Sequence, residues 1–210
     1  MHLSKMHRVW MLPLFLVSIA AAAPAQTDVA LSFYGAFTGS TTGNGVTQSP
    51  ANQAGGMVEL RHISNPLVGY EATYSYNRAN QTYFAVCPGV PPGSPFTCNV
   101  AVMQAVPANA HEITGDWVVS LGVSNLKPFA LAGVGMLMDV PSGSQIGTSS
   151  STRAVFVYGA GLDWGLLPHL GLRLQYRGNL YKAPDLINSF QSTNNFLHTA
   201  EPMIGAYFRF

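Results

Sequence analysis

Between residues 67 and 77 the chain changes character at every second position. Val68, Tyr70, Ala72, Tyr74 and Tyr76 form one set; Glu71, Thr73, Ser75 and Asn77 form the other. Successive side chains of a strand point to opposite faces, so this period of two specifies a strand with one apolar and one polar face. Residues 170–181 repeat it, setting Leu170, Leu172, Leu174 and Tyr176 against Arg173, Gln175, Arg177 and Asn179. The same period recurs near 29–38, 56–63, 110–121, 128–140, 153–164 and 198–210, which makes eight strands. No segment shows a convincing helical period.

The charges decide how these strands are used. Only 9% of the chain is charged, against about 25% in an ordinary soluble domain. Eleven of these groups fall on the polar strand faces: Glu59, Glu71, Glu112, Asp116, Asp163 and Glu201, with Arg61, Arg153, Arg173, Arg177 and Arg209. A soluble barrel places charge outside and apolar groups within. Here the apolar faces are nearly free of charge, as lipid requires, since a charge at the bilayer midplane costs about 2–4 kcal/mol. Closing the sheet satisfies every backbone group in a medium without water. The fold expected is an eight-stranded antiparallel up-and-down transmembrane β-barrel. The near balance of sign implies a lumen ion-pair network of Glu59, Arg61, Glu71, Glu112, Asp116, Asp163, Arg173, Arg177 and Arg209. A net charge of +1 leaves no basic surface for nucleic acid. The scarcity of Lys and Glu excludes a coiled coil.

The N-terminus carries Lys5 and Arg8, an apolar run from Val9 to Ala22, and Ala23-Pro24-Ala25. That is the three-part pattern of a secretory signal peptide, cleaved after Ala25, and the run is too short to span a bilayer as a helix. Residues 26–210 then form one domain. Cys87 and Cys98 lie in a Pro/Gly-rich stretch. In an exported protein they are expected to form a disulfide across a loop. Connections after the second, fourth and sixth strands are short. Those at 40–55, 78–109, 141–152 and 182–197 are long and rich in Ser, Thr, Asn, Gly and Pro. Short periplasmic turns and long extracellular loops are the outer-membrane layout, with both chain ends on the periplasmic side.

Aromatics at strand ends (Tyr74, Tyr76, Trp117, Trp164, Tyr181, Phe208, Phe210) suit interfacial girdles. Gly133, Gly135, Gly159 and Gly161 are expected to leave lumen space for large side chains opposite, such as Arg173 and Arg177. The fifth strand's facing stays open, because Phe129-Ala130-Leu131-Ala132 is apolar on both sides.

The chain resembles the small eight-stranded outer-membrane barrels of the OmpA/OmpX type. The likeness rests on Gly205-Ala206-Tyr207-Phe208-Arg209-Phe210, on 171–177 (Gly-Leu-Arg-Leu-Gln-Tyr-Arg) and on Ala132-Gly133-Val134-Gly135 after Lys127-Pro128-Phe129. The resemblance implies that Tyr207, Phe208 and Phe210 form a signal read by the outer-membrane assembly machinery. It also implies a narrow gated channel as precedent, with Glu59, Glu71, Glu112, Arg173 and Arg177 as its exchangeable partners. Eight strands enclose a space just wide enough for side chains, so a largely plugged lumen is expected over an open pore.

The function expected is therefore structural or surface-related. Two alternatives stand beside it: adhesion or binding through the long loops, above all 78–109, and an exported barrel carrying a small ligand. A lipocalin-like soluble barrel requires the opposite facing. An OmpW-like carrier requires an apolar inner trough that only the fifth strand supplies. No enzyme is expected: His198 is followed by Thr199 and Ala200 and so lacks the His-x-Ser pair of lipid-modifying barrels. His111 and Glu112 are neighbours that face opposite ways. No metal or cofactor motif occurs. The partners expected are outer-membrane lipid and the assembly machinery, with a monomer as the working form.

Overall fold

The computed structural model describes residues 26–64, 67–86, 100–122, 124–143 and 147–210. The expected leader at 1–25 and the expected Cys87–Cys98 bridge lie outside them. Eight strands close into an antiparallel barrel: β1 (Gln26–Thr38), β4 (Gln53–Ile63), β5 (Val68–Arg78), β8 (Ala108–Ser120), β9 (Leu126–Pro141), β10 (Ser151–Gly165), β11 (Leu170–Lys182) and β12 (Phe196–Arg209). Each pairs with its sequence neighbour in the barrel, and β1 meets β12 at the seam, where Val29 stands opposite Phe208. Each is long enough for the roughly 9–11 residues that a tilted strand needs to cross a bilayer.

Four further strands lie within the first two long connections: β2 (Thr41–Gly43), β3 (Val46–Pro50), β6 (Gln81–Val86) and β7 (Ala101–Val106). They form a second sheet in the order β2-β3-β6-β7. This corrects the expectation of loop over 40–55 and 78–109. Their Thr, Ser and Gln content reads as loop chemistry, but the strands extend the ladder of β4, β5 and β8 beyond the membrane. Backbone bonds from Ala51 to Asn80 (2.9 Å) and from Ala79 to Ala108 (2.8 Å) stitch the two sheets together.

The barrel's outer face is apolar: Phe33 is 70% exposed and Trp117 69%. In water such a surface would be an aggregation site; in lipid it is solvated. At the periplasmic end Tyr70 pairs across strands with Trp117, and the His169 ring lies 6.0 Å from that of Phe208. At the other end the Tyr74 hydroxyl meets His111 Nδ1 at 2.9 Å, and that of Tyr158 meets His198 Nε2 at 2.9 Å. Tyr181 departs from the expected girdle. It shares the inward parity of Arg173 and Arg177, is buried in the lumen and bonds Thr199 Oγ1 at 3.0 Å.

Candidate functional site: a charged lumen beneath an extracellular lid

Inward-facing residues of β1, β4, β5, β10 and β11 bring one cluster together in the periplasmic half. Arg173 is fully enclosed. Its Nε lies 2.7 Å from Asp163, its Nη1 2.8 Å from Glu59 and its Nη2 2.9 Å from Asp28. Arg61 donates to Glu71 at 2.6 Å and to Asp163 at 3.2 Å. Ser32 donates its hydroxyl to the other Glu59 oxygen at 2.5 Å. Charge-assisted bonds of this length hold the guanidinium groups rigidly. The Arg61 guanidinium also lies 4.0 Å above the centre of the Phe129 ring. That ring fills the space beside Gly161, where a Cβ would overlap it. The room expected opposite Arg173 and Arg177 thus goes, at Gly161, to an aromatic ring that carries Arg61. Arg177 itself stands beside Gly159 across the β10–β11 ladder.

A second cluster surrounds Arg177 in the outer half. Its Nη2 is 3.5 Å from Glu112 and 3.1 Å from Thr114 Oγ1, and its Nη1 is 3.5 Å from Asp116. Asn179 donates to the second Glu112 oxygen at 3.0 Å. Glu201 is buried on the neighbouring strand, opposite Arg177 in the ladder.

The structure thus brings eight of the nine expected network residues into two clusters. Arg209 is the correction: it joins no ion pair among the described residues. Half-buried at the periplasmic rim, it stacks over Tyr207 at 5.2 Å and donates to the Tyr207 hydroxyl at 3.2 Å. Tyr207 faces the lumen and is buried, whereas Phe208 and Phe210 face lipid. Two acids join the lumen that sequence reasoning missed, Asp28 and Asp139, both buried. Asp28 shares parity with Ala30, Ser32 and Tyr34, a mixed face that hides its direction. Asp139 shares parity with Phe129, Leu131 and Leu137, so the fifth strand's odd residues turn inward. Against them pack Val118, Val155 and Val157, which makes one lumen wall apolar and fills it.

The outer mouth is covered. Leu186 and Ile187, from the connection between β11 and β12, seat beneath the second sheet against Val46, Tyr83, Ala85 and Val106. Tyr83 donates its hydroxyl to the Pro184 carbonyl at 2.7 Å and accepts the Leu186 N–H at 3.2 Å. Gln48 donates to the same carbonyl at 3.2 Å. Burial pushes the Tyr83 hydroxyl's pKa well above the ordinary tyrosine value, so it stays protonated. Thr148 bridges Ile187, Asn44 Nδ2 bonds the Ser192 carbonyl at 2.7 Å, and Arg153 pairs with Asp185. Segments from all four long connections therefore interlock into one lid.

An apolar belt outside, ion pairs inside and a closed ladder define a transmembrane β-barrel. The strand number and the turn and loop layout are those of the bacterial outer membrane. The chain belongs to the family described as the outer membrane protein beta-barrel domain, which matches residues 11–210. Among solved structures, Neisserial surface protein A is similar at 15% identity, over 90% of this chain and 100% of that one, with a TM-score of 0.57. OprG from Pseudomonas aeruginosa is similar at 10% identity, over 90% and 98%, with a TM-score of 0.57. Ail, the attachment invasion locus protein of Yersinia pestis, is similar at 14% identity, over 90% and 100%, with a TM-score of 0.52. No curated protein sequence matches.

Proposed function

We propose that the protein is a closed surface scaffold of the outer membrane, which presents its extracellular sheet and conducts no ions. The observation that carries this reading is the lid: Leu186 and Ile187 plug the mouth above a lumen already filled by Arg61, Arg173 and Arg177. A pore needs a continuous water path, and both levels here are occupied by packed side chains. Planar bilayers holding the reconstituted protein test this. The wild type is expected to pass no stepwise current. Leu186→Asp places a charge in the lid core and is expected to admit transient openings. Stepwise conductance of the wild type refutes the scaffold reading.

A second reading, surface attachment, draws on the outward side of the lid sheet. No charged residue occurs in β2, β3, β6 or β7, and Phe84 and Met103 stand side by side across β6 and β7, exposed. Ail was solved with the heparin analogue sucrose octasulfate. A polyanion needs basic groups, and this sheet offers none, so an uncharged protein surface is the partner it suits. Cells displaying Phe84→Ser/Met103→Ser are expected to attach to protein-coated surfaces less than wild-type cells. Equal binding removes this reading.

A further inference from the structure

The periplasmic mouth of the barrel holds a hollow of about 360 Å³ between the turns at 124–125 and 165–168. Its frame is tied together by backbone bonds. The Gly165 N–H donates to the Asn125 carbonyl at 2.8 Å, and the Arg209 N–H donates to the His169 carbonyl at 2.8 Å. Tyr207 borders the hollow, and its ring lies 5.4 Å from the Arg173 guanidinium of the inner cluster. The filled lumen beyond makes the hollow blind.

Two cations border this space, Lys127 and Arg209, each half-buried and so partly open to it. Each stands opposite an acid in the ladder, Lys127 opposite Asp163 and Arg209 opposite Asp28. Both acids turn away to the inner cluster. Asp163 pairs with Arg173 at 2.7 Å and Arg61 at 3.2 Å, and Asp28 pairs with Arg173 at 2.9 Å. The two rim cations are thus left without an ion pair among the described residues, and no acidic side chain borders the hollow. Their hydrogen bonds go to neutral oxygens: Lys127 Nζ to Gln26 Oε1 at 2.9 Å, and Arg209 Nη2 to the Tyr207 hydroxyl at 3.2 Å. The remaining ammonium hydrogens and the Arg209 Nη1 amino group stay available as donors. Leu166 and Leu167 form an exposed apolar lip on the same hollow.

We propose that this hollow binds the phosphate group of a phosphate ester. A guanidinium fork from β12 and an ammonium point charge from β9 reach it from different strands. Tetrahedral phosphate oxygens accept from several directions, whereas one guanidinium fork already satisfies a planar carboxylate. The volume is that of a small-molecule site, with room for an organic group against the leucines. A soluble ester of the periplasm and a phospholipid head group of the inner leaflet present the same chemistry.

The probe is phenyl phosphate, titrated by calorimetry into the full chain folded in maltoside micelles, which bring no phosphate of their own. One saturable site per chain is expected, with benzoate at least threefold weaker. Lys127→Gln and Arg209→Met are each expected to weaken binding by fivefold or more. Lys182→Gln, which removes a cation at the opposite end of the barrel, is expected to leave it unchanged. Heat-dependent gel mobility verifies that the variants remain barrels; should one rim variant not fold, the other carries the test. A second arm adds phosphatidylglycerol to the micelles. Loss of phenyl phosphate binding at a few lipids per chain assigns the site to phospholipid head groups, and unchanged binding assigns it to soluble esters. No saturable binding, binding unaltered in the rim variants, an equal loss in Lys182→Gln, or benzoate as strong as phenyl phosphate overturns the proposal.

Discussion

Replacing Arg173 by Met probes the load that one side chain bears. Arg173 neutralises Asp163, Glu59 and Asp28 at 2.7–2.9 Å, and Glu71 lies 3.7 Å away. Without it, Arg61 is left to serve four enclosed carboxylates. Removing one partner of a buried ion pair costs about 3–5 kcal/mol, because the other charge is stranded without water. The stranded acids take up protons, so the cost does not multiply by three. An expected loss of about 4 kcal/mol, at a slope of ~2 kcal/mol per molar urea, lowers the unfolding midpoint by roughly 2 M. The assay is urea unfolding of the refolded protein in lipid vesicles, followed by tryptophan fluorescence. Arg209→Met is the control: it removes a half-buried guanidinium with no carboxylate partner among the described residues, and is expected to cost less than about 1 kcal/mol. Adding Asp28→Asn and Glu59→Gln to Arg173→Met is expected to restore part of the loss. A midpoint for Arg173→Met that falls no further than that of Arg209→Met refutes the view that this network holds the barrel.

Facing is checked by a lipid-soluble thiol label on single-cysteine variants lacking Cys87 and Cys98: Tyr74→Cys and Leu174→Cys are expected to react, Glu71→Cys and Arg173→Cys to resist. Uniform labelling would contradict the inward placement of the charges. Gly161→Val drives the Phe129 ring from beneath Arg61, and overpacking of this kind is expected to cost about 1–3 kcal/mol, read as a lower melting temperature. Tyr83 supplies a pH dependence outside the membrane. Burial raises its pKa above the ordinary value of 10.0, so its contribution to the lid is complete below pH 10 and fades as pH rises above it. Proteolysis of the lid is expected to accelerate above that pH in the wild type. In Tyr83→Phe it is faster at neutral pH and flat with rising pH; an identical profile in both proteins contradicts the role given to the hydroxyl.

The barrel was legible because lipid enforces a strict alternation. Glu71 between Tyr70 and Ala72, or Arg173 between Leu172 and Leu174, admits one facing only. Legibility failed where both faces were apolar. On the fifth strand, Phe129 and Leu131 turn inward to fill an apolar wall, as Ala130 and Ala132 turn to lipid, and hydrophobicity does not separate them. Asp139 went unread with them. The lid escaped for a different reason. Val46, Tyr83, Leu186 and Ile187 are far apart in sequence, and polar residues around them suit a turn as well as a strand. Arg209 shows the limit of parity, which gives a face but not a partner: Asp28 stands opposite it in the ladder yet binds Arg173.

Leu186 and Ile187 lie between β11 and β12, whereas the sheet that receives them is complete by β7. The hairpin that holds these two residues also carries the strand that meets β1. That seam joins Val29 to Phe208, so its ordering entropy is the largest of any barrel pairing. Stopper and final stave thus share one hairpin. The contact that closes the bore and the ladder that closes the ring are tied to the same stretch of chain, so neither is complete without it.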